Sequence, residues 1–316
     1  MPSTACNTKR NTLLANLDSF GIKPTLTKET YERILASGFR GDSNTLATIL
    51  CQEAVELQPI TLRGLFYRVV STGFLASTDD EHYKRVGRLV TRLRRIGLIP
   101  YPWIVDSMRS TDKPSSWTGL TDFAETVRNA YRKDFWNHIP SYVHIFTEKD
   151  AIAGVIQPVT REYDVRLSPI RGYTSESFVW GIADQWKQID KPIFAAYLGD
   201  YDPSGFDIER DLRTKLADLS GRHFEWVRLG VNESDFNDYN LVRLKPKKKD
   251  RRFAKFQVEH GNDCAEIDAL PPNIIRAGVR GFIENHIPQD EWQRLKDVEA
   301  IETESFQELL AGLGAA

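Results

Sequence analysis

The sequence is poor in cysteine and has no long apolar run. Its 316 residues include only three cysteines, Cys6, Cys51 and Cys264. They lie far apart and show neither the spacing of a metal site nor the pairing of a disulfide framework, which indicates a reducing cytoplasm. No apolar run reaches the roughly 18 residues that span a bilayer, and the first residues lack the layout of a signal peptide. We therefore expect a cytoplasmic protein that does not associate with membranes.

Two nucleotide-binding signatures are also missing. The sequence contains neither G-x-G-x-x-G nor G-x-x-x-x-G-K-[ST], so it offers no dinucleotide site and no P-loop. The overall charge is nearly balanced, with 42 Lys and Arg residues against 44 Asp and Glu residues and a formal net charge of −2. This balance implies no global attraction to nucleic acid, so any such contact must come from local basic clusters.

The first part of the chain predicts a series of helices. Apolar periodicity places them at 27–37, 45–57, 61–73 and 83–98. A strand is expected at 98–108, followed by a helix at 120–140. Helix, helix, basic helix and strand is the order of a winged helix-turn-helix, whose last helix enters the DNA major groove. We therefore predict that residues 1–140 form an N-terminal arm and a winged-helix DNA-binding domain.

The predicted helix at 83–98 separates apolar from basic residues. Val86, Val90 and Leu93 recur at helical spacing and mark a buried face. The residues of this helix predicted to contact DNA are Lys84, Arg85, Arg88, Arg92 and Arg95. A solvated surface helix is the alternative, but almost no acidic residue balances these side chains, which favours contact with DNA phosphates.

A second basic cluster lies within residues 241–257. Lys247, Lys248 and Lys249 are followed by Phe253 and Phe256. Basic residues with interleaved aromatic residues are typical of segments that contact nucleic-acid phosphates. A solvated charge run explains the same residues equally well, and both interpretations stay open.

From residue 141 onward, predicted strands alternate with predicted helices. The strands are expected at 141–150, 164–172, 192–200 and 223–231. Such alternation is typical of a parallel sheet with right-handed crossovers. We therefore predict an α/β fold in which residues 141–316 form a second domain with a C-terminal extension.

Three carboxylates follow two of these strands. Glu148 ends one strand, and Asp200 and Asp202 follow another as a D-x-D pair. Open α/β sheets place ligand sites at the carboxyl ends of their strands, and hard oxygen donors suit a partly hydrated Mg²⁺ ion. The sequence therefore predicts a magnesium site at Glu148, Asp200 and Asp202, although solvated acids at strand ends are the simpler alternative.

A bound magnesium ion beside a DNA-binding domain fits two chemistries. One is hydrolysis by metal-activated water, and the other is transesterification by a side-chain hydroxyl. Tyr67 is a candidate nucleophile, because Arg63 lies four residues earlier on the same helical face and its guanidinium can reach a phosphate under attack. An aromatic packing role for Tyr67 beside Phe66 is the alternative.

At these residues the sequence resembles a known family. The runs FTEKDAIAGVI, RGYTSESF and GDYDPSG are similar to the Toprim domain of the DNA-cleaving A subunit of topoisomerase VI and of the related meiotic double-strand-break protein. LRGLFY resembles the Arg-x-x-Tyr-Tyr motif of that family, and AEIDALPPN resembles the segment after its Toprim core. The resemblance covers residues 45–287, with the winged helix first and the Toprim domain second.

The resemblance implies a role for each matching residue. Tyr67 matches the tyrosine that attacks DNA and stays linked to a 5′ phosphate, and Arg63 matches the arginine of the same motif. Glu148, Asp200 and Asp202 match the Toprim carboxylates that work with Mg²⁺. The family acts as a homodimer, in which the tyrosine of one chain works at the Toprim site of the other. Phe66 departs from the family pattern, since the first tyrosine of the motif usually stands there.

The predicted function is magnesium-dependent cleavage and rejoining of double-stranded DNA by a type IIB topoisomerase A-like homodimer. Nothing in the sequence resembles an ATP-binding B subunit, so ATP-driven strand passage would need a separate ATPase subunit. A nucleoid-associated location in the cytoplasm goes with this substrate. Two alternatives stay open, namely a Toprim nuclease that uses water and a DNA-binding protein without catalytic activity.

Overall fold

The computed structural model describes residues 4–105, 116–246 and 250–314, so the predicted DNA contacts Lys247, Lys248 and Lys249 lie outside the described residues. The described part contains thirteen α-helices and six β-strands, which confirms the mixed α/β class. The strands are β1 (Ile60–Thr61), β2 (Ile104–Val105), β3 (Tyr142–Thr147), β4 (Arg166–Pro169), β5 (Ile193–Leu198) and β6 (Phe224–Gly230).

The helices precede, connect and follow the strands. They are α1 (Thr4–Asp18), α2 (Lys28–Ala36), α3 (Asp42–Leu57), α4 (Leu62–Ser71), α5 (Asp80–Arg95), α6 (Leu120–Ala130), α7 (Asp150–Glu162), α8 (Glu176–Lys187), α9 (Pro203–Ser220), α10 (Asp235–Asp238), α11 (Phe253–His260), α12 (Pro272–Glu284) and α13 (Gln289–Gly314). Three short 3-10 helices lie at Tyr101–Trp103, Phe135–Asn137 and Ile267–Ala269. No helix in the described ranges is both long and apolar enough to cross a membrane.

Four strands form one parallel sheet in the order β4–β3–β5–β6, which confirms the predicted parallel sheet. The central strands β3 and β5 are buried almost throughout, as expected for apolar strands covered by helices on both faces. Successive side chains of a strand face opposite sides of the sheet. Accordingly, Ile145 packs in the cluster that includes α7 and α12, whereas Phe146 packs in the cluster of α8 and α9.

The predicted helices before the sheet are confirmed as α2, α3, α4 and α5. The strand predicted at 98–108 is wrong over most of its described length, since only Ile104–Val105 is a strand and Tyr101–Trp103 is a 3-10 helix. Pro100 and Pro102 explain the difference, because neither has a backbone N–H to donate to a strand ladder. Residues 106–108 lie outside the described part.

The helix predicted at 120–140 ends at Ala130. Beyond it, the Trp136 indole donates a hydrogen bond to the Tyr163 carbonyl at 2.7 Å, and the Phe135 ring packs edge-on against Trp292 at 4.7 Å. These tertiary contacts hold the chain in a path that a continuous helix could not follow.

The winged-helix arrangement and the domain boundary at residue 140 stay predictions. Helices α3, α4 and α5 occur in the expected order, but within the described residues no antiparallel hairpin follows α5. One hydrophobic cluster includes residues from both sides of the predicted boundary, such as Leu65 of α4 and Ile145 of β3.

His144 of β3 is fully buried and has two polar partners. Its Nδ1 accepts a hydrogen bond from the Trp186 indole at 3.2 Å. Nε2 therefore carries the proton and donates to the Ser168 hydroxyl at 2.8 Å. Burial, with Arg166 nearby, holds the pKa of His144 well below its ordinary value, so the ring is neutral in the folded chain.

We expect the free energy of unfolding to decrease as the pH falls below about 6.5, the ordinary pKa of histidine. Below that pH, His144 binds a proton in the unfolded chain but not in the folded chain. The free energy of unfolding therefore falls by up to about 1.4 kcal/mol per pH unit. Urea unfolding at a series of pH values measures this slope. His144→Gln should reduce it, whereas His223→Gln, at an exposed position before β6, should not. An unchanged slope in H144Q would show that another group is responsible.

Candidate functional site

A cleft of about 910 Å³, lined in part by charged side chains, separates helices α4 and α5 from the carboxyl edge of the sheet. The helical wall includes Thr61, Arg63, Tyr83, Gly87, Thr91 and Arg94. The wall at the sheet edge includes Lys149, Asp200, Asp202, Glu266 and Asp268. The cleft therefore brings together residues that are far apart in the sequence, among them the motif arginine and the D-x-D pair.

The ammonium group of Lys149 lies between three carboxylates. Its Nζ is 2.9 Å from Asp200 Oδ1, 3.0 Å from Glu266 Oε2 and 3.0 Å from Asp268 Oδ2. Burial lowers the pKa of Lys149, but the three carboxylates outweigh that effect and raise the pKa above its ordinary value. We call these four residues the Lys149 centre.

Local structure positions Lys149, Asp200 and Asp268. Lys149 stands at the N-cap position of α7, directly after β3, and Asp200 follows β5. The Ile267 N–H donates to Asp200 Oδ1 at 2.8 Å, which places the 3-10 helix beside the strand end. Asp268 Oδ1 accepts a hydrogen bond of 2.6 Å from the Thr61 hydroxyl, which in turn caps α4 by accepting the Gly64 N–H at 2.7 Å.

The three predicted metal ligands lie at one sheet edge, as expected from their places at strand ends. Glu148 Oε2 accepts the Asp200 N–H at 3.1 Å, and Asp202 Oδ1 caps α9 by accepting the Gly205 N–H at 2.7 Å. Gly205 is required there, because a Cβ would lie 2.3 Å from the Asp200 carbonyl oxygen. Each of the three carboxylates thus uses one oxygen to hold the protein backbone or a neighbouring residue.

Negative charge accumulates at this edge. Burial raises the pKa of Glu148, and the nearby Asp202 raises it further. Burial also raises the pKa of Asp200 to about 7, with Glu148 adding to the effect and Lys149 opposing it. Among the residues that the structure describes, no three or more His, Cys, Asp or Glu side chains are grouped so as to hold a metal ion.

Arg228 of β6 organises the strand ends, and the sequence reasoning missed it. Its guanidinium donates to the carbonyls of Gly199 at 3.0 Å and Asp200 at 2.6 Å, and it pairs with Glu209. Burying an arginine is costly unless its donors are satisfied. A single arginine within the apolar run HFEWVRLGV was the signal that could have identified it.

Tyr67 and Arg63 of α4 lie next to the Lys149 centre, on the side of Glu266. Arg63 Nη1 is 2.8 Å from Glu266 Oε1. Arg63 and Glu266 are both close enough to the Tyr67 hydroxyl to shift its pKa, Arg63 downward and Glu266 upward. The Tyr67 side chain is only 4% exposed, and burial followed by the Glu266 charge raises its pKa. Its ring also packs against Phe66, with 5.6 Å between the ring centroids. Tyr67 therefore also has the aromatic packing contact that was the alternative to a nucleophilic role.

The predicted DNA contacts of α5 have different surroundings. Lys84, Arg88 and Arg95 are exposed. Arg85 is half-buried, and Arg92 donates to the Ser37 carbonyl at 2.6 Å and lies over the Phe39 ring, which links α5 to the preceding helices.

Described residues of the second basic cluster border the cleft. Lys245, Pro246 and Asp250 line it. Arg252 fixes the segment by donating to Asp250 at 2.8 Å and to the Ser204 hydroxyl at 2.9 Å. Because Ser204 lies in the first turn of α9, this segment is tied to the D-x-D turn.

Comparison of this chain with protein-family models and with curated proteins gives no match.

We expect Asp268→Asn to lower the free energy of unfolding by about 2 kcal/mol, because it removes a buried partner of Lys149 and weakens the bond from Thr61. Urea unfolding measures the change. Asp263→Asn is the matched control, since Asp263 pairs with Arg243 at 2.7 Å on the surface; it should cost less than about 1 kcal/mol. Equal losses in the two variants would contradict a structural role for the Lys149 centre.

Proposed function

We propose that this protein cleaves and rejoins double-stranded DNA by transesterification, with Tyr67 as the nucleophile. We further propose that it combines an N-terminal winged-helix domain with a Toprim domain, as in topoisomerase VI A subunits. The observation that supports this most is that Arg63 and Tyr67, on α4, and the acidic sheet edge meet at one carboxylate, Glu266. A nucleophile, a phosphate-binding cation and an acidic sheet edge thus share one cleft.

In the proposed reaction, the Tyr67 oxygen attacks a backbone phosphorus atom. A bond forms between that oxygen and phosphorus, and the bond from phosphorus to the 3′ oxygen breaks. The phenolic proton leaves to solvent, the departing 3′ oxygen takes up a proton, and the 5′ phosphate stays on Tyr67. Arg63 stabilises the charge on the phosphate oxygens, and attack by the 3′ hydroxyl on the phosphotyrosine rejoins the strand.

We propose that Glu148, Asp200 and Asp202 hold a Mg²⁺ ion. Their chemistry fits, because all three supply hard oxygen donors and because the pKa values of Glu148 and Asp200 are both raised at this edge. The buried Tyr197 hydroxyl next to this edge also has no hydrogen-bond partner among the described residues. When bound, Mg²⁺ would supply positive charge to the phosphate oxygens. The present side-chain positions do not form a coordination shell, so binding would draw the three carboxylates together.

The DNA is proposed to cross the mouth of the cleft. Tyr83, Gly87 and Arg94 of α5 line the cleft, and Lys84 and Arg88 form the next row on the same helix. Lys245 contributes positive charge from the opposite side. Phosphates placed between these residues would lie close to Arg63 and Lys149.

Hydrolysis by water is the second candidate, and the burial of Tyr67 favours it. A phenol that is 4% exposed and has a raised pKa is poorly placed and poorly activated for attack. Water could reach the same phosphate from the open cleft without any movement of α4. This route would make a nuclease that leaves free 5′ phosphates.

Cleavage of both strands takes two active centres, so we propose a homodimer, associated with the nucleoid. ATP-driven strand passage would require a separate ATPase subunit. In the structure, Tyr67 lies beside the Lys149 centre of its own chain. Whether it works there or at the site of a second chain decides how the dimer is built.

We expect Tyr67→Phe to abolish a covalent protein–DNA adduct, because the variant lacks the attacking oxygen. Denaturing gel electrophoresis of the protein with 3′-end-labelled linear duplex DNA and MgCl₂ detects the adduct. The substitution keeps the buried aromatic ring and should preserve the fold. Normal cleavage by Y67F, with free 5′ phosphates, would instead support hydrolysis by water, and Glu148→Gln should abolish cleavage by either route.

Mixing the two variants distinguishes the two dimer arrangements. If Tyr67 works at the site of the partner chain, a mixture of Tyr67→Phe and Glu148→Gln chains should regain cleavage, because one site then has both residues. If Tyr67 works within its own chain, the mixture should be as inactive as each variant alone.

We expect MgCl₂ to raise the melting temperature of the wild type by about 2 °C or more. Without Mg²⁺, Glu148→Gln should melt above the wild type, because burial disfavours the charged carboxylate that the substitution removes. Adding MgCl₂ should then leave the melting temperature of E148Q nearly unchanged. Glu225→Gln, at an exposed position on β6, should behave like the wild type. A full Mg²⁺ response in E148Q would exclude Glu148 as a ligand.

A further inference from the structure

The Glu266 carboxylate is held between two cations. Its Oε1 pairs with Arg63 at 2.8 Å, and its Oε2 pairs with Lys149 at 3.0 Å. One cation comes from the helical wall of the cleft and the other from the sheet edge. The Tyr67 hydroxyl is close enough to the same carboxylate for the Glu266 charge to raise the pKa of the phenol.

A phosphodiester shares the features that these groups recognise. It carries one negative charge and two unesterified oxygens, as a carboxylate does. Guanidinium groups bind both anions through the same planar donors, and ammonium groups bind both as a point charge. The position between Arg63 and Lys149, beside a phenol, is therefore chemically suited to a backbone phosphate.

Of the three carboxylates around Lys149, Glu266 is the one that can leave. Asp268 has a side chain only 3% exposed and is also bound by Thr61, and Asp200 is also bound by the Ile267 N–H. The Glu266 side chain is 24% exposed and lines the open cleft. Its backbone is held independently of the side chain, since the adjacent Ala265 bridges to Tyr201.

We propose that Glu266 occupies the phosphate-binding position in the free protein and that a DNA backbone phosphate displaces it. The carboxylate keeps Arg63 and Lys149 in place until DNA arrives, and it competes with the phosphate for both cations. The identity of the ligand as DNA rests on the proposed function, whereas the competition follows from the ion pairs themselves.

The test is the affinity of a short DNA duplex, measured by fluorescence anisotropy without Mg²⁺ at several salt concentrations. Glu266→Gln keeps the shape of the side chain and removes its charge. It should bind the duplex about tenfold more tightly than the wild type at low salt, with a smaller gain at high salt. Glu225→Gln makes the same change in net charge away from the cleft and should gain less than about twofold.

A double-mutant cycle with Arg63→Ala separates competition from a general charge effect. If Glu266 competes for Arg63, the gain from E266Q should fall below about threefold in the R63A background. Equal or weaker binding by E266Q, or a full gain in the absence of Arg63, would overturn the inference. Circular dichroism and a urea midpoint confirm that each variant is folded.

The displacement of Glu266 and the proposed transesterification can be rejected separately. Tighter binding by E266Q without any Tyr67–DNA adduct in the wild type would keep the phosphate position and reject transesterification. An adduct in the wild type, with no gain in affinity from E266Q, would keep the reaction and reject the displacement.

Discussion

An ammonium group enclosed by three carboxylates joins the helical part of this chain to its sheet. Lys149 binds Asp200 at the end of β5, and through Asp268 and Glu266 it reaches the cap and the first turn of α4. Taking any one of these charges out of the centre would leave the others partly buried without compensation, which is strongly unfavourable. The position of Arg63 beside the sheet edge therefore depends on the ion pairs of this cation, together with the hydrophobic cluster that joins the two parts.

The sheet edge holds more negative charge than its own cations neutralise. The pKa of Glu148 and that of Asp200 are both raised, mainly by burial, although Lys149 and Arg228 lie nearby. Arg228 directs its donors to the Gly199 and Asp200 carbonyls, so it fixes the strand ends more than it neutralises them. Negative charge that is not neutralised at this edge lowers the stability of the folded chain. Binding of a cation or of a cationic partner would raise that stability.

The sequence was informative where contacts are local or follow from strand order. Carboxylates directly after β3 and β5 had to meet, because parallel strands end at one edge, and the α4 spacing placed Arg63 beside Tyr67. The groups that complete the site come from distant parts of the sequence. Asp268 lies 119 residues after Lys149 and 207 after Thr61, and no periodicity links such positions. The early end of α6 has the same cause, since distant aromatic contacts override local helix preference.

Attack by the Tyr67 phenol and attack by water, the two proposed reactions, share most of their requirements. As proposed, both act on a phosphate that lies between Arg63 and Lys149 after displacing Glu266. That phosphate would take over the ion pair with Arg63, and its negative charge would replace the carboxylate charge that now raises the pKa of Tyr67. Burial would continue to raise that pKa, so the phenol can attack only if α4 also moves to expose it. In the proposed reaction, the choice between phenol and water thus depends on the mobility of α4 relative to the Lys149 centre, and the ion pairs of that centre oppose the movement.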